Sequence, residues 1–166
     1  ALKFFDATSE IHHLGNQERS YLIAASILHD VGISVSARSH HKHSLYVINA
    51  QEFFYLSDEE KNIVANIARY HRRSAPKTTH IDFMKLCEKD KMTVIKLASI
   101  LRIADSLDNS GLQVINSIQT KIENDKLLIT AQVIGDPLAE IYSFKYKKEL
   151  FEDFFGISIK LNIIRK

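Results

Sequence analysis

The spacing of apolar residues predicts helices in the first two-thirds of the chain. In four segments apolar side chains recur every three or four positions, which is the period of a helix with one buried face. These segments run from Asn16 to just before Gly32, from His40 to Phe53, from Ser57 to a stop at Pro76, and from Glu88 to Leu107. Ser57 precedes three acidic residues, which is typical of a helix start because a capping oxygen and carboxylates favour that end.

After Gly111 the apolar period changes from a helical one to alternation. Alternating β-branched residues over 114–122 and a second run over 127–133 predict a hairpin that turns at 123–126. Residues 138–155 are predicted to be helical, and 157–163 form a last strand. We therefore expect a mostly α chain: a helical domain over 1–110, then a small α+β subdomain over 111–166 with a short antiparallel sheet and one helix.

Composition excludes several classes of protein. The 166 residues contain one cysteine, so a disulfide framework or a thiolate zinc site is excluded. No apolar run reaches the ~18 residues of a membrane span, and nothing at the start resembles a signal peptide, so we expect a cytoplasmic protein without a membrane partner. The net charge is only +2 and tryptophan is absent, which argues against nucleic-acid binding.

Histidines and carboxylates recur on separate predicted helices, which suggests a metal site. The candidates are His29, Asp30, His43, His71 and Asp105. Asp105 lies on an apolar stripe, where a carboxylate is costly unless it is paired or binds a cation. Facing helices bring such groups together in a bundle, and this nitrogen and oxygen donor set suits Mn, Fe, Mg or Zn. The alternatives are a helix-end histidine with a solvated aspartate, and a solvated basic patch at 40–43.

Basic residues accompany these candidates and predict a phosphate site. The run 69–77 contains Arg69, Arg72, Arg73 and Lys77 without an acidic residue, and Lys42 and Arg102 stand beside proposed ligands. Guanidinium groups bind phosphate through charge-assisted hydrogen bonds, so we assign Lys42, Arg72 and Arg102 to substrate binding. The alternative is a solvated helix end.

Three segments resemble the HD superfamily of metal-dependent phosphohydrolases. They are Leu-His-Asp-Val-Gly at 28–32, Ala-Arg-Tyr-His at 68–71 and Leu-Arg-Ile-Ala-Asp-Ser-Leu-Asp at 101–108. The resemblance implies an HD helical bundle in which His29, Asp30, His71 and Asp105 hold a divalent metal. His43 would be a second-site ligand, and Asp30 would also be catalytic. It also implies a first histidine ligand well upstream of His29, which we expect to lie before Ala1; His12 and His13 are the alternatives within the chain.

The chain is also similar, over nearly its whole length, to the C-terminal region of the exopolyphosphatase / guanosine pentaphosphatase family. The similar segments include 4–6, 28–32, 40–44, 68–72, 101–110 and 150–156, in that order. In such proteins a two-part actin-like ATPase-fold module precedes this region and carries the usual phosphatase site. The resemblance implies a phosphohydrolase that acts on polyphosphate or guanosine tetra- or pentaphosphate. The alternative is a non-catalytic module that binds polyphosphate and supports a homodimer.

Overall fold

The computed structural model describes residues 1–72, 74–123 and 126–165. The helices are α1 Leu2–Ala7, α2 Ser9–His12, α3 Asn16–Leu28, α4 His40–Ala50, α5 Asp58–Arg69, α6 Ile81–Met84, α7 Glu88–Ser106, α8 Leu138–Lys147 and α9 Glu149–Phe155; the strands are β1 Ile115–Glu123, β2 Lys126–Val133 and β3 Ser158–Arg165. A 3₁₀ turn, Val31–Ser34, lies between α3 and α4. The prediction of a mostly α chain with an α+β tail is confirmed.

The α5 helix begins where the sequence predicts, at a reciprocal cap. The Ser57 hydroxyl accepts a hydrogen bond from the Glu60 amide at 3.2 Å, and a Glu60 carboxylate oxygen accepts one from the Ser57 amide at 2.9 Å. The other Glu60 oxygen accepts from the Tyr21 hydroxyl at 3.0 Å, which ties α3 to the start of α5. The cap therefore also fixes how these two helices meet.

Replacing Ser57 by alanine should lower the free energy of unfolding by about 1 kcal/mol, because the Glu60 amide loses its acceptor. Urea unfolding measures the change. Threonine keeps the hydroxyl, so Ser57→Thr should stay within a few tenths of a kcal/mol of the wild type. Equal stability of the alanine and threonine variants would contradict this role of the cap.

The α5 helix ends at Arg69, seven residues before Pro76, so the prediction that Pro76 stops it was wrong. The reason is a tertiary contact. Arg102 on α7 is buried, and its guanidinium donates to the carbonyls of Tyr70, at 2.6 Å, and of Ser74. These carbonyls serve the arginine instead of continuing the helix.

The sheet has the order β1-β2-β3, and its third strand corrects the prediction. The hairpin of β1 and β2 is antiparallel, as expected, but β3 runs parallel to β2, with Lys126 opposite Ser158 and Leu127 opposite Ile159. A parallel neighbour requires a long crossover, and residues 134–157 supply it. This crossover contains two helices, α8 and α9, instead of the one predicted. The tip of the predicted hairpin turn, residues 124 and 125, lies outside the described residues.

One hydrophobic core extends from the helices into the tail. It contains Phe4 of α1, Leu97 of α7, Leu127 of β2 and Phe151 of α9 in a single cluster of buried side chains. The rings of Phe4 and Phe151 lie 5.7 Å apart between centroids. The boundary at residue 110 stays a prediction, since this core crosses it. Among the described residues, no helix is both long enough and apolar enough to cross a membrane.

Candidate metal centre

The segment His29-Asp30-Val31-Gly32 is fixed against α4 by a buried serine. The Ser44 hydroxyl donates to the His29 carbonyl at 2.6 Å and accepts from the Gly32 amide at 3.0 Å. A Cβ atom on Gly32 would lie within 3 Å of the α4 backbone at three atoms. Only glycine lets the two backbones come this close. The close approach places Asp30 beside the first turn of α4.

Three ligand-type atoms from separate segments meet at Asp30. The Asp30 Oδ1 lies 3.1 Å from His40 Nε2 and 3.5 Å from His71 Nε2, and the two Nε2 atoms are 3.1 Å apart. His40 belongs to the first turn of α4, and His71 follows the end of α5. Asp30, His40 and His71 thus form a group that is able to hold a metal ion.

The other ring nitrogens orient these histidines. His71 Nδ1 donates to the Ala68 carbonyl at 2.6 Å, and His40 Nδ1 donates to the Ala37 carbonyl at 3.2 Å. Burial lowers the pKa of His71 from its usual range to about 3, so His71 is neutral at pH 7. A neutral imidazole that donates through Nδ1 carries a lone pair on Nε2. In His71 the hydrogen bond to the Ala68 carbonyl therefore turns the Nε2 lone pair toward Asp30, which is the orientation of a metal-bound histidine. The Nδ1 contact of His40 orients its ring in the same way.

A second group lies next to the first, at the other oxygen of the Asp30 carboxylate. His29 Nε2 is 3.6 Å from Asp30 Oδ2 and 3.8 Å from Asp105 Oδ1. His29 Nδ1 donates to the Ser26 carbonyl at 2.8 Å, which is the same orienting contact as in the other two histidines. The two oxygens of Asp30 thus face different ligand sets. This arrangement suits a carboxylate that bridges two ions or binds one with support from the second set.

The donor set fits a divalent metal. Ligands about 2.0–2.1 Å from a tetrahedral ion lie about 3.3 Å from one another, close to the spacings of His40, His71 and Asp30 Oδ1. With neutral imidazoles, these three atoms are all hydrogen-bond acceptors, and their lone pairs repel unless a cation lies between them. Imidazole with carboxylate is a donor set that Zn, Fe and Mn accept.

A cavity of about 450 Å³ opens beside the first group. Its polar lining combines the proposed ligands with cations and hydrogen-bonding groups: Asp30, His40, His71, Arg72, Asp105, Asn109, Tyr142, Ser143, Tyr146 and Lys147. Arg72 is exposed, and Lys147 pairs with Asp105. The volume lies in the range of small-ligand sites, and an exposed guanidinium such as that of Arg72 is a group that is able to bind phosphate oxygens.

The structure brings together four of the five predicted ligands. His29, Asp30, His71 and Asp105 are neighbours, whereas the group formed by the described residues contains His40 in place of His43. The reason is where α4 begins: His40 is its first residue and lies next to Asp30. The metal-binding roles themselves stay predictions.

The predicted phosphate contacts divide into three cases. Arg72 lines the cavity. Lys42 is exposed on the first turn of α4. Arg102 is buried, and its guanidinium donates to backbone carbonyls, which favours a structural role rather than contact with a substrate. Burial lowers the pKa of Arg102 to about 10. Arg73 lies outside the described residues.

His12, upstream of the proposed ligands, forms hydrogen bonds to the backbone through both of its ring nitrogens. It is fully buried, and its Nε2 donates to the Phe5 carbonyl at 2.8 Å, while its Nδ1 accepts from the Leu14 amide at 2.9 Å. Both ring nitrogens are thus used by the backbone around the end of α2, and neither is left for a metal.

Sequence reasoning missed Lys147 and the two tyrosines of α8 that line the cavity. The signal available was weak, since these residues lie in a segment of mixed period, well beyond the 101–108 segment that contains the last proposed ligand. Their place depends on the parallel crossover, which carries α8 against α7. His40 belongs to the histidine run at 40–43, in which the sequence favours His43 as the ligand.

A family model described as Ppx/GppA phosphatase, domain III, matches residues 1–135. The chain belongs to this family. The matched stretch of this Ppx/GppA domain contains all five residues of the two ligand groups, from His29 to Asp105, and continues through the hairpin of β1 and β2. Membership indicates a phosphatase-family protein whose substrates contain phosphate. The similarity to the C-terminal region of exopolyphosphatases and guanosine pentaphosphatases is thus confirmed.

Proposed function

We propose that this domain is a metal-dependent phosphohydrolase that acts on a phosphate ester or phosphoanhydride, such as polyphosphate or guanosine tetra- or pentaphosphate. The observation that carries the proposal is the meeting of His40 Nε2, His71 Nε2 and Asp30 Oδ1 within 3.5 Å of one another, at the edge of a cavity that also contains Arg72. A ligand set and a phosphate-binding cation beside one cavity are the two requirements of this chemistry.

Asp30, His40 and His71 would hold one ion, and His29 and Asp105 would support it or hold a second. When bound, such an ion supplies a more acidic water and neutralises charge on a phosphoryl oxygen. Asp30 is the proposed catalytic residue, because its half-exposed carboxylate touches both ligand sets and faces the cavity. Arg72 orients the phosphate from the same cavity. The imidazole of His71 is neutral, so its Nε2 lone pair is available to the ion.

Phosphate release from polyphosphate and from guanosine pentaphosphate tests the proposal. We expect release to depend on added Mn²⁺ and to stop after chelation with EDTA. Metal analysis of the purified protein should find at least a stoichiometric divalent ion. Absence of both metal binding and release under every divalent ion tried would overturn the enzyme assignment.

A second function is favoured by the cations near the site. Lys42, Arg72 and Lys77 are exposed, and the charges of Arg72, Arg69 and Lys42 add to the burial that lowers the pKa of His41 to about 4. This positive surface suits a module that binds polyphosphate without hydrolysing it. Binding of polyphosphate without metal-dependent release would support this alternative. A homodimer and a cytoplasmic location remain predictions from the sequence.

Replacing Arg72 by methionine should weaken polyphosphate binding by about tenfold at low salt, since a charge-assisted contact to phosphate is lost. The wild-type affinity should also fall as salt rises, because exposed charges are screened. Fluorescence anisotropy with a labelled polyphosphate measures both effects. Lys121→Met, at an exposed position of β1 where Lys121 pairs with Glu123, is the matched control and should bind like the wild type. Equal loss in both variants would point to a non-specific charge effect.

A further inference from the structure

The C-terminal region contributes one cation to the metal centre. Lys147 is the last residue of α8, and its ammonium group forms an ion pair with Asp105 Oδ2. The side chains of Lys147 and Asp105 are 13% and 18% exposed, so the pair is largely shielded from water. An ion pair in this setting is screened less than one on the surface.

The two oxygens of Asp105 have different partners. Oδ2 is bound by Lys147, whereas Oδ1 lies 3.8 Å from His29 Nε2, on the side of the proposed ligands. The lysine therefore occupies one oxygen and leaves Oδ1, the oxygen that contacts His29, to the proposed ligands. Rotation of the carboxylate would disturb this ion pair, so the pair restrains the orientation of Asp105.

The two neighbouring lysines, Lys145 and Lys148, make other contacts. Lys145 is exposed, with its ammonium 6.0 Å from the centre of the Tyr146 ring, and Lys148 pairs with Glu152 at 2.7 Å. Both lie outside the residues that line the cavity. Position 147 is thus distinguished from these two lysines by its contact with Asp105.

We propose that Lys147 is a positioning residue that holds Asp105 so that its Oδ1 stays directed toward His29 and the metal. The inference rests on the proposed function. It means that α8, in the C-terminal region, contributes to the candidate metal centre. Partners that hold a metal-ligating carboxylate by hydrogen bonds fix its orientation, and their loss typically weakens metal binding by 10- to 100-fold. The competing account is that the ammonium stands where a metal would bind, in which case removing it would tighten metal binding.

Calorimetric titration of the metal-free protein with Mn²⁺ distinguishes these accounts. Lys147→Met should bind Mn²⁺ 10- to 100-fold more weakly than the wild type, while Lys147→Arg, which keeps a cationic donor, should recover most of the affinity. Lys145→Met on the same helix is the matched control and should bind like the wild type. The visible absorption spectrum of the Co²⁺-loaded proteins provides a second readout, and it should change in Lys147→Met and return toward the wild type in Lys147→Arg.

The outcomes separate this inference from the proposed function. Wild-type affinity, or tighter binding, in Lys147→Met overturns the positioning role while leaving the metal centre in place. A loss that Lys147→Arg does not recover also overturns it. Failure of the wild type itself to bind Mn²⁺, Co²⁺ or Zn²⁺ overturns the proposed function, and the positioning role falls with it. Circular dichroism of the metal-free variants identifies any that have failed to fold, and the arginine variant then carries the comparison.

Discussion

Gly32→Ala should destabilise the protein by about 3 kcal/mol or more, which is the upper end of the cost of overpacking. The added Cβ would lie within 3 Å of the His40 carbonyl oxygen, the Ser44 amide nitrogen and the His43 carbonyl carbon. All three are backbone atoms, so no side chain can rotate away and α4 itself must shift. The shift would also break the hydrogen bond from the Gly32 amide to the Ser44 hydroxyl.

Thermal and urea unfolding measure this loss, which corresponds to a fall of about 6–12 °C in Tm for a domain of this size. Metal affinity should fall as well, because His40 is carried by the helix that moves. Gly15→Ala is the matched control: its Cβ would meet only a Glu18 carboxylate oxygen, at 3.4 Å. That variant should lose no more than about 1 kcal/mol, the difference between glycine and alanine as a helix cap. A Gly32→Ala protein as stable as Gly15→Ala would refute the close-approach explanation.

Asp30→Asn should weaken divalent metal binding by more than about 100-fold, since one substitution removes the charge that both ligand sets share. The amide keeps the shape of the carboxylate but supplies only one neutral oxygen. At a free Mn²⁺ concentration 100 times the dissociation constant, the wild type should gain about 2.7 kcal/mol of stability from binding. That gain is about 5–10 °C in Tm.

The variant should show almost none of this gain at the same Mn²⁺ concentration, and its metal-dependent phosphate release should disappear. Differential scanning fluorimetry with and without EDTA gives the shift. Asp153→Asn, an exposed aspartate on α9, makes the same chemical change away from the site and should respond to Mn²⁺ like the wild type. If Asp30→Asn kept the full metal-induced shift, the ion would have to bind elsewhere, and the proposed ligand set would be wrong.

The helices were predictable because a helix with one buried face has apolar residues every three or four positions, and this spacing is visible in a single sequence. Asn16–Leu28 and Glu88–Ser106 lie where the apolar spacing places them, and the α5 helix starts at the predicted Ser57 cap. Its end was not predictable in this way. The carbonyls after Arg69 are bound by Arg102 from α7, a contact between residues about thirty positions apart. Local signals such as Pro76 cannot reveal it.

The tail shows the same limit for strands. Alternation identified β1, β2 and β3, because side chains of a half-buried strand point alternately to its two faces. Alternation is identical in parallel and antiparallel pairs, so the direction of β3 was open. Direction was decided by how α8 and α9 cross between β2 and β3.

The sequence by itself marked Asp105 and His71, because a carboxylate or an imidazole on an apolar helix face needs a partner to be buried. The resemblance to the HD superfamily predicted that His29 and Asp30 join them, and the structure places all four as neighbours. Only the tertiary structure decided which histidine of the 40–43 run joins them. That choice depends on how closely α4 approaches Gly32, which is a distance between backbones and not a property of either segment. Only the structure, likewise, brought Lys147 to Asp105 across forty-two positions, since a long-range ion pair leaves no period in the sequence that would mark its two ends.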